Sequence, residues 1–288
     1  MQIAMDLDIL EHENPVKTVN VSTVPQRSPF RYPGGKTWLI PTIRKWLSQS
    51  ENVKLLIEPF AGGGIVSLTA AFERYCKSII MAELDPEVAA VWETILGDEN
   101  NWLANRILNF DLTIDKINQE FIRENKSTKE IAFCTILKNR TYHGGIITKG
   151  SGLLKNGENG KGILSRWYPR TLYDRIKSID KIKNIIDFKF SDAYGLIESH
   201  INDKSAFFFI DPPYTKAAKR LYTLYDIDHE GLFEKVSRIK GHFLLTYDDT
   251  PEIRHYANKY NLLYKSIPMK TTHHLEKNEL LITDNLNW

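Results

Sequence analysis

The stretch from Val53 to Pro86 constrains the fold of this 288-residue chain more than any other. Val53-Lys54-Leu55-Leu56-Ile57-Glu58 is short and apolar, with the length of a buried strand. Pro59-Phe60-Ala61-Gly62-Gly63-Gly64 is a tight glycine turn, and Ile65 to Arg74 carries apolar residues at helical spacing. Ser78-Ile79-Ile80-Met81-Ala82 is a second strand ending at Glu83-Leu84-Asp85-Pro86. Strand, glycine turn, helix, strand and acid form a βαβ unit, which requires a parallel sheet. An acid about 20 residues after the turn suits ribose hydroxyls. Ser67 replaces the third glycine of the dinucleotide fingerprint, which favours a nucleoside over a pyrophosphate cofactor. Taken alone, the turn fits an ordinary strand-to-helix connection equally well.

A second constraint lies downstream. Phe207-Phe208-Phe209-Ile210 suits a strand buried on both faces, and Asp211-Pro212-Pro213-Tyr214 ends it, because consecutive prolines cannot donate to a ladder. An acid, two rigid prolines and an aromatic ring therefore stand at the carboxyl edge of a strand, where open α/β sheets bind ligands. A carboxylate and a fixed proline carbonyl can accept both hydrogens of a nucleobase amine and expose its lone pair, while a tyrosine offers a face for stacking. A turn that merely caps a strand is the alternative reading of the tetrapeptide.

Alternating strands and helices elsewhere extend the α/β pattern. Leu39 to Leu47 is an expected helix with Pro41 in its first turn. Ile185 to Ser191, His242 to Thr246, Leu262 to Ile267 and Glu279 to Thr283 are expected strands, the last two a closing pair. Gly195 to His200, Leu232 to Ile239 and Ile253 to Tyr260 are expected helices. Pro29-Phe30-Arg31-Tyr32-Pro33-Gly34-Gly35-Lys36-Thr37 ends like a Walker loop, but Phe30 stands where that loop needs glycine.

Between residues 87 and 175 the pattern changes. Trp102 to Phe121 and Lys129 to Leu137 are expected amphipathic helices, followed by a glycine-rich stretch from Asn139 to Gly162. Over 138–175, Lys138, Arg140, Lys149, Lys155, Lys161, Arg166, Arg170 and Arg175 stand against Glu158 and Asp174, with Tyr142, His143, Trp167, Tyr168 and Tyr173 among them. That local excess suits a nucleic-acid surface, although a solvated basic face has the same composition. The net charge of +2 conceals it.

Composition narrows the class further. Hydrophobic residues are 42% and charged residues 26%, as in ordinary globular chains. The two cysteines, Cys76 and Cys134, have no metal spacing and suit a reducing compartment. No run is long enough for a membrane span, and the acidic start lacks a secretory core, so a cytoplasmic protein is expected.

These motifs together resemble the Dam-type adenine-specific (N6) DNA methyltransferases with the alpha-type motif order, over about Pro29 to Leu286. The resemblance implies a Rossmann-like α/β fold with a mixed, mostly parallel sheet. It also implies an inserted, mainly helical target-recognition domain with a hairpin loop. The expected division is an arm over 1–26, a catalytic domain over 27–86 and 176–288, and the insertion over 87–175. The cofactor implied is S-adenosylmethionine, with Tyr32, Lys36, Phe60, Ala61, Gly62, Gly63, Gly64, Glu83, Leu84, Asp192 and Asp211 around it. Tyr194 stands beside Asp192 in the motif for the cofactor adenine. Tyr32-Pro33 departs from the usual tryptophan-alanine, and Glu83 from the usual aspartate.

The catalytic motif implied is Asp211, Pro212, Pro213 and Tyr214, acting on the N6 amine of an adenine flipped out of a short duplex site. Leu244 to Pro251 and Glu279 to Thr283 resemble later motifs around the base pocket. Arg140, His143, Thr148, Lys149, Lys155 and Arg166 are the expected DNA contacts, and no metal is expected. Double-stranded DNA is the expected partner. A cognate restriction endonuclease acting independently, and a monomer or weak dimer, are compatible with it. Three other readings stand beside it: N4 methylation of cytosine, an inactive DNA-binding relative, and methylation of RNA or a protein glutamine on the same fold, where the catalytic motif more often opens with asparagine.

Overall fold

The structure is a computed structural model that describes residues 23–31, 34–148, 150–157, 160–214, 227–270 and 276–288. Most of the expected N-terminal arm, Tyr32 and Lys149 lie outside them. Seven strands form one sheet: β1 (Val53–Glu58), β2 (Cys76–Glu83), β3 (Ile186–Phe190), β4 (Ala206–Ile210), β5 (His242–Asp248), β6 (Leu263–Lys270) and β7 (Glu276–Thr283). Their order is β3-β2-β1-β4-β5-β7-β6. All neighbours pair in parallel except β7, which is antiparallel to both β5 and β6. This is the expected Rossmann-like fold with a mixed, mostly parallel sheet.

The central strands are apolar at consecutive positions because both faces are covered. Leu56, Phe207, Phe209, Leu244 and Leu281 point into one buried cluster, and Ile57, Phe208, Ile210, Leu245 and Leu280 into another. The period of two places successive residues in opposite layers. Helices α1 (Ile40–Leu47), α2 (Ile65–Phe72) and α3 (Pro86–Leu96) contribute to the first cluster. Helices α8 (Ala193–His200), α9 (His229–Ser237) and α10 (Pro251–Lys259) cover the second.

The chain between α3 and β3 adds α4 (Asn100–Leu108), α5 (Ile114–Ile122), α6 (Thr128–Thr141) and α7 (Pro169–Ile179). The single helix expected from Trp102 to Phe121 is two helices. Thr113 caps the second by accepting a hydrogen bond from the Lys116 amide at 3.3 Å, and such caps start helices. Phe133, Ile117, Leu172 and Trp167 share the first buried cluster with sheet residues. Helix α3 packs against β2 and β3 as well as α6, so it joins these helices to the sheet.

Asn139 ties this helical part to the segment before the first helix. Its amide nitrogen donates to the carbonyls of Arg31 and Gly145, at 3.1 and 2.9 Å. Its oxygen accepts from the Arg31 amide at 2.9 Å. With Asn139 only 1% exposed, Asn139→Ala leaves buried backbone groups unpaired and should cost about 2–3 kcal/mol. Chemical denaturation of both proteins measures that difference, and a loss below about 0.5 kcal/mol would contradict it.

Candidate active site

The crevice between β1 and β4 is the switch point of the sheet, since the chain leaves β1 toward β2 and β4 toward β5. Two loops meet there. Pro59 to Gly64 follows β1, and Asp211 to Tyr214 follows β4.

The glycine loop is held from three sides. The Ala61 amide donates to the Ala82 carbonyl at 2.9 Å, on the neighbouring strand. Trp92 Nε1 donates to the Gly62 carbonyl at 2.8 Å, and Ser28 Oγ to the Gly63 carbonyl at 2.5 Å. Gly64 caps α2 with φ +62°, and a Cβ there would meet Trp92 Cζ2 at 2.7 Å and Met81 Cε at 2.8 Å. Only glycine satisfies both constraints. Glu58, 3% exposed, accepts from the Ser67 amide at 3.0 Å and so anchors the first turn of α2 across the loop. Burial pushes the Glu58 carboxyl up to about 8, against the Ser67 hydrogen bond that favours its charge.

Glu83 ends β2 beside this loop. Its Oε2 accepts from the Gly62 amide at 2.9 Å, and its Oε1 from the amides of Leu84 and Asp85 at 2.8 and 3.0 Å. Burial raises its carboxyl above the usual range, opposed by those backbone donors. Leu84 follows it with 46% of its surface exposed, an uncovered apolar side chain at the strand edge. Asp192, at the end of the third strand, is exposed and caps α8 by accepting from the Gly195 amide at 2.8 Å. Tyr194 donates its hydroxyl to the Asp228 carbonyl at 2.6 Å.

The second loop carries a denser network. Register places Ile210 of β4 beside Leu245 of β5, so Asp211 lies beside Thr246. Thr246 Oγ1 donates to Asp211 Oδ1 at 2.7 Å. Lys36 Nζ reaches the same oxygen at 2.9 Å and donates to the Gly34 carbonyl at 2.9 Å. Lys36 Nζ also lies 4.0 Å from Glu279 Oε2 and 4.9 Å from the Tyr214 ring centroid. The Tyr214 hydroxyl donates to Glu279 Oε2 at 3.0 Å, and its ring stacks on Tyr247 at 5.6 Å and 24°. Tyr247 in turn bonds His229 Nδ1 at 2.7 Å.

Charge in this cluster is shared. Burial alone would pull the Lys36 ammonium down, but Asp211 and Glu279 outweigh it and hold it above its ordinary value. Burial pushes the Glu279 carboxyl up to about 6, and Lys36 limits that rise. Burial, then Asp211 and Glu279, hold the Tyr214 phenol neutral. Pro212 is buried and Pro213 half-buried. The structure thus gathers Lys36, Phe60 to Gly64, Glu83, Leu84 and Asp211 to Tyr214 along one sheet edge.

The expected DNA contacts are distributed differently. His143 and Lys155 are exposed, and Thr148 and Arg166 half-buried. Tyr142 and Leu153 form an antiparallel bridge, flanked by hydrogen bonds from His143 N to Gly152 O at 3.1 Å and Leu154 N to Thr141 O at 2.8 Å. The loop between them is a hairpin carrying His143 and Thr148. Arg140 requires a correction: it is 5% exposed and donates to the Pro29 carbonyl. Helix α6 continues through Thr141, beyond the expected end at Leu137, and turns Arg140 inward. Burial, then Arg175, Arg31 and Arg166, lower its guanidinium to about 9.

Thr246 and Glu279 fall in stretches expected around the base pocket, but the motifs assign neither a role; Thr246 interrupts an apolar strand run and Glu279 begins one, and a polar residue at such a place is the signal that marks them. Ser28 and Trp92 reach the glycine loop from 35 and 30 residues away, with no local signal.

Comparison with known proteins narrows the chemistry. The family model for D12 class N6 adenine-specific DNA methyltransferase matches residues 32–271. A Type II methyltransferase, M.MjaIII of Methanocaldococcus jannaschii, is 23% identical over 225 residues, 70% of this chain and 75% of that protein. Among solved structures, an rRNA methyltransferase, aviRa of Streptomyces viridochromogenes, overlaps 93% of this chain and 94% of its own. Its TM-score is 0.42 at 12% identity. A precorrin-6y C5,15-methyltransferase of Geobacter metallireducens overlaps 94% and 97%, with a TM-score of 0.39 at 8% identity.

Proposed function

The chain belongs to the D12 class N6 adenine-specific DNA methyltransferase family, and on that premise we propose how its own residues carry the reaction. The substrate is DNA, the cofactor is S-adenosylmethionine, and the product is N6-methylated adenine. The observation that carries the residue assignment is Asp211 Oδ1, fixed by Lys36 at 2.9 Å and Thr246 at 2.7 Å beside the glycine loop.

The donor set suits the cofactor. The edge is rich in carboxylates, and the ammonium of Lys36 is already paired with two of them. A phosphate-bearing nucleotide would meet repulsion there, whereas a cationic nucleoside is attracted. S-adenosylmethionine supplies a methyl group activated by its positively charged sulfur. Phe60 to Gly64 line its amino-acid end, Glu83 accepts from its ribose hydroxyls, and Leu84 with Asp192 borders its adenine. Oε2 of Glu83, with one backbone donor, keeps a lone-pair site for a hydroxyl donor, whereas Oε1 already accepts from two amides.

The target amine is a weak nucleophile because its lone pair is delocalised into the ring. Asp211 accepts one amine hydrogen through its free Oδ2, and the Pro212 carbonyl accepts the other. Two acceptors on opposite sides pull the nitrogen toward tetrahedral geometry and expose the lone pair. Tyr214 presents its face to the base, and Asp211 takes the proton released from nitrogen. The base reaches this edge only when flipped out of the duplex. The insertion over 87–175 delivers it, with His143 and Thr148 of the hairpin toward the bases and Lys155 and Arg166 toward phosphate. A duplex substrate, action without a membrane in a bacterial or phage-infected cytoplasm, and an endonuclease that cuts the unmethylated site independently complete the proposal. Among the described residues no helix is long and apolar enough to cross a membrane.

Duplex DNA methylated by the purified protein and digested to nucleosides should contain N6-methyladenine. N4-methylcytosine as the modified nucleoside would overturn the base assignment. Label entering RNA but not DNA would overturn the substrate.

A further inference from the structure

The network around Lys36 holds one residue to which the proposed reaction assigns no role. Glu279 sits within β7, opposite Asp248 of β5 and Ile267 of β6, and is 5% exposed. A buried carboxylate is costly unless it is paired. One oxygen, Oε2, does both jobs: it accepts the Tyr214 hydroxyl at 3.0 Å and faces Lys36 Nζ at 4.0 Å. Lys36 in turn contacts Asp211 at 2.9 Å.

We propose that Glu279 is a positioning residue for methyl transfer: it shares the Lys36 ammonium so that Asp211 keeps its strength as an acceptor, and it orients Tyr214 toward the target base. The inference rests on the assignment of Asp211 as the amine acceptor.

Electrostatics gives the reason. With Lys36 and Asp211 alone, one buried ammonium faces one half-buried carboxylate, and their charges cancel. Hydrogen bonds from a cation weaken the oxygen that receives them for any further donor. Glu279 draws part of the ammonium's field to itself and leaves the triad with a surplus negative charge. That surplus matters at two moments. It attracts a cationic methyl donor, and it stabilises the positive charge that appears on the amine nitrogen before its proton leaves. The phenol contact acts by geometry. Tyr214 is pinned at its ring by Tyr247 and at its hydroxyl by Glu279, so the ring is set before a base arrives.

The charged and titratable groups facing Glu279 among the described residues are Lys36, Asp211, Tyr214 and Asp248. Lys36 favours the charged form of Glu279, and Asp211 and Asp248 oppose it. Burial, the largest influence, pushes the carboxyl up to about 6. Above that pH Glu279 is charged and the surplus is present. As pH falls through it, Glu279 takes a proton, the triad becomes neutral, and transfer slows.

Glu279→Gln keeps the shape and an oxygen able to accept from Tyr214, but removes the charge. Incorporation of labelled methyl into duplex DNA is followed from about pH 5 to about pH 8 in the wild type and two variants. The expected result for Glu279→Gln is a fall in kcat of about 10- to 100-fold at neutral pH. DNA affinity should be unchanged, and the acid limb near 6 should be lost. Tyr214→Phe removes the hydroxyl and leaves the carboxylate, so its rate falls while its acid limb is kept and moves somewhat above the wild-type pH, because a hydrogen bond that favours the charged form of Glu279 is lost. Wild-type kcat and an unmoved limb in Glu279→Gln would sink the inference. So would a wild type and Tyr214→Phe with no acid limb near 6, whether or not Glu279→Gln folds. A wild type that methylates no adenine defeats the functional assignment itself, a distinct outcome.

Discussion

Asp211→Ala should lower methyl transfer to adenine by about 10³-fold or more while cofactor and DNA still bind. The size of the effect follows from what Asp211 does alone. It ends β4 in the centre of the sheet, and its Oδ1 is fixed by Lys36 and Thr246. The carboxylate is therefore aimed before substrate arrives, and no reorganisation is needed at the moment of reaction. Alanine leaves the amine with the Pro212 carbonyl alone and leaves its proton with no acceptor. Asp211→Asn separates the two contributions. It keeps a side chain that can accept from Thr246, loses the negative charge, and should retain more activity than alanine. Labelled-methyl incorporation at saturating substrates reads the rate, and fluorescence anisotropy with a labelled duplex reads binding. Retention of more than about a tenth of wild-type kcat by Asp211→Ala would remove Asp211 from the acceptor role.

Lys36→Met should have the largest effect on stability. Lys36 is 3% exposed, and it is a single cation shared by two carboxylates at 2.9 and 4.0 Å. Removing one partner of a buried pair leaves uncompensated charge and costs about 3–5 kcal/mol. For a chain of this size the melting temperature should fall by about 10 °C. The sign of the pH dependence is diagnostic. In the wild type the Lys36 ammonium is held above its ordinary value of 10.5, so its contribution is present in full at neutral pH and lost only in strong alkali. In Lys36→Met, Asp211 and Glu279 face each other without a cation. Glu279, already pushed up to about 6, must rise further and take a proton. The folded variant then binds more protons than the unfolded chain, so its stability falls as pH rises. Its deficit against the wild type should be smaller near pH 5 than near pH 8, read from melting curves at both. A deficit independent of pH would mean that methionine fails for its shape and not for its missing charge.

Much of the site was legible because its signals are local. The glycine turn between β1 and α2 follows from a run of residues that permit unusual backbone geometry, and Gly64 does adopt a positive φ. Asp211 to Tyr214 follows from a four-residue apolar run ended by two prolines. The parallel sheet follows from apolar strands alternating with helical periods, and the closing pair from two short apolar runs near the end of the sequence, whose antiparallel pairing the structure supplies. Arg140 was misread because exposure is not a local property. Its charge suggests a surface, but α6 extends one turn further and packs it beneath Pro29. The break between α4 and α5 was hidden because the apolar pattern continues through Phe110 and Leu112, which stay buried in the turn.

The sequence by itself determined the layers of this protein, its two edge loops and the class of chemistry those loops suit, because each depends on residues within about ten positions of one another. The tertiary structure alone decided which charges meet. Lys36, Asp211, Thr246 and Glu279 come from four separated segments; the register of β4 against β5 and of β5 against β7 joins the last three, and Lys36 reaches them from the turn before α1. One hydrogen bond spans 35 residues and another 65. Strand register is fixed by how the whole sheet buries its two faces, and no local window of sequence contains that information.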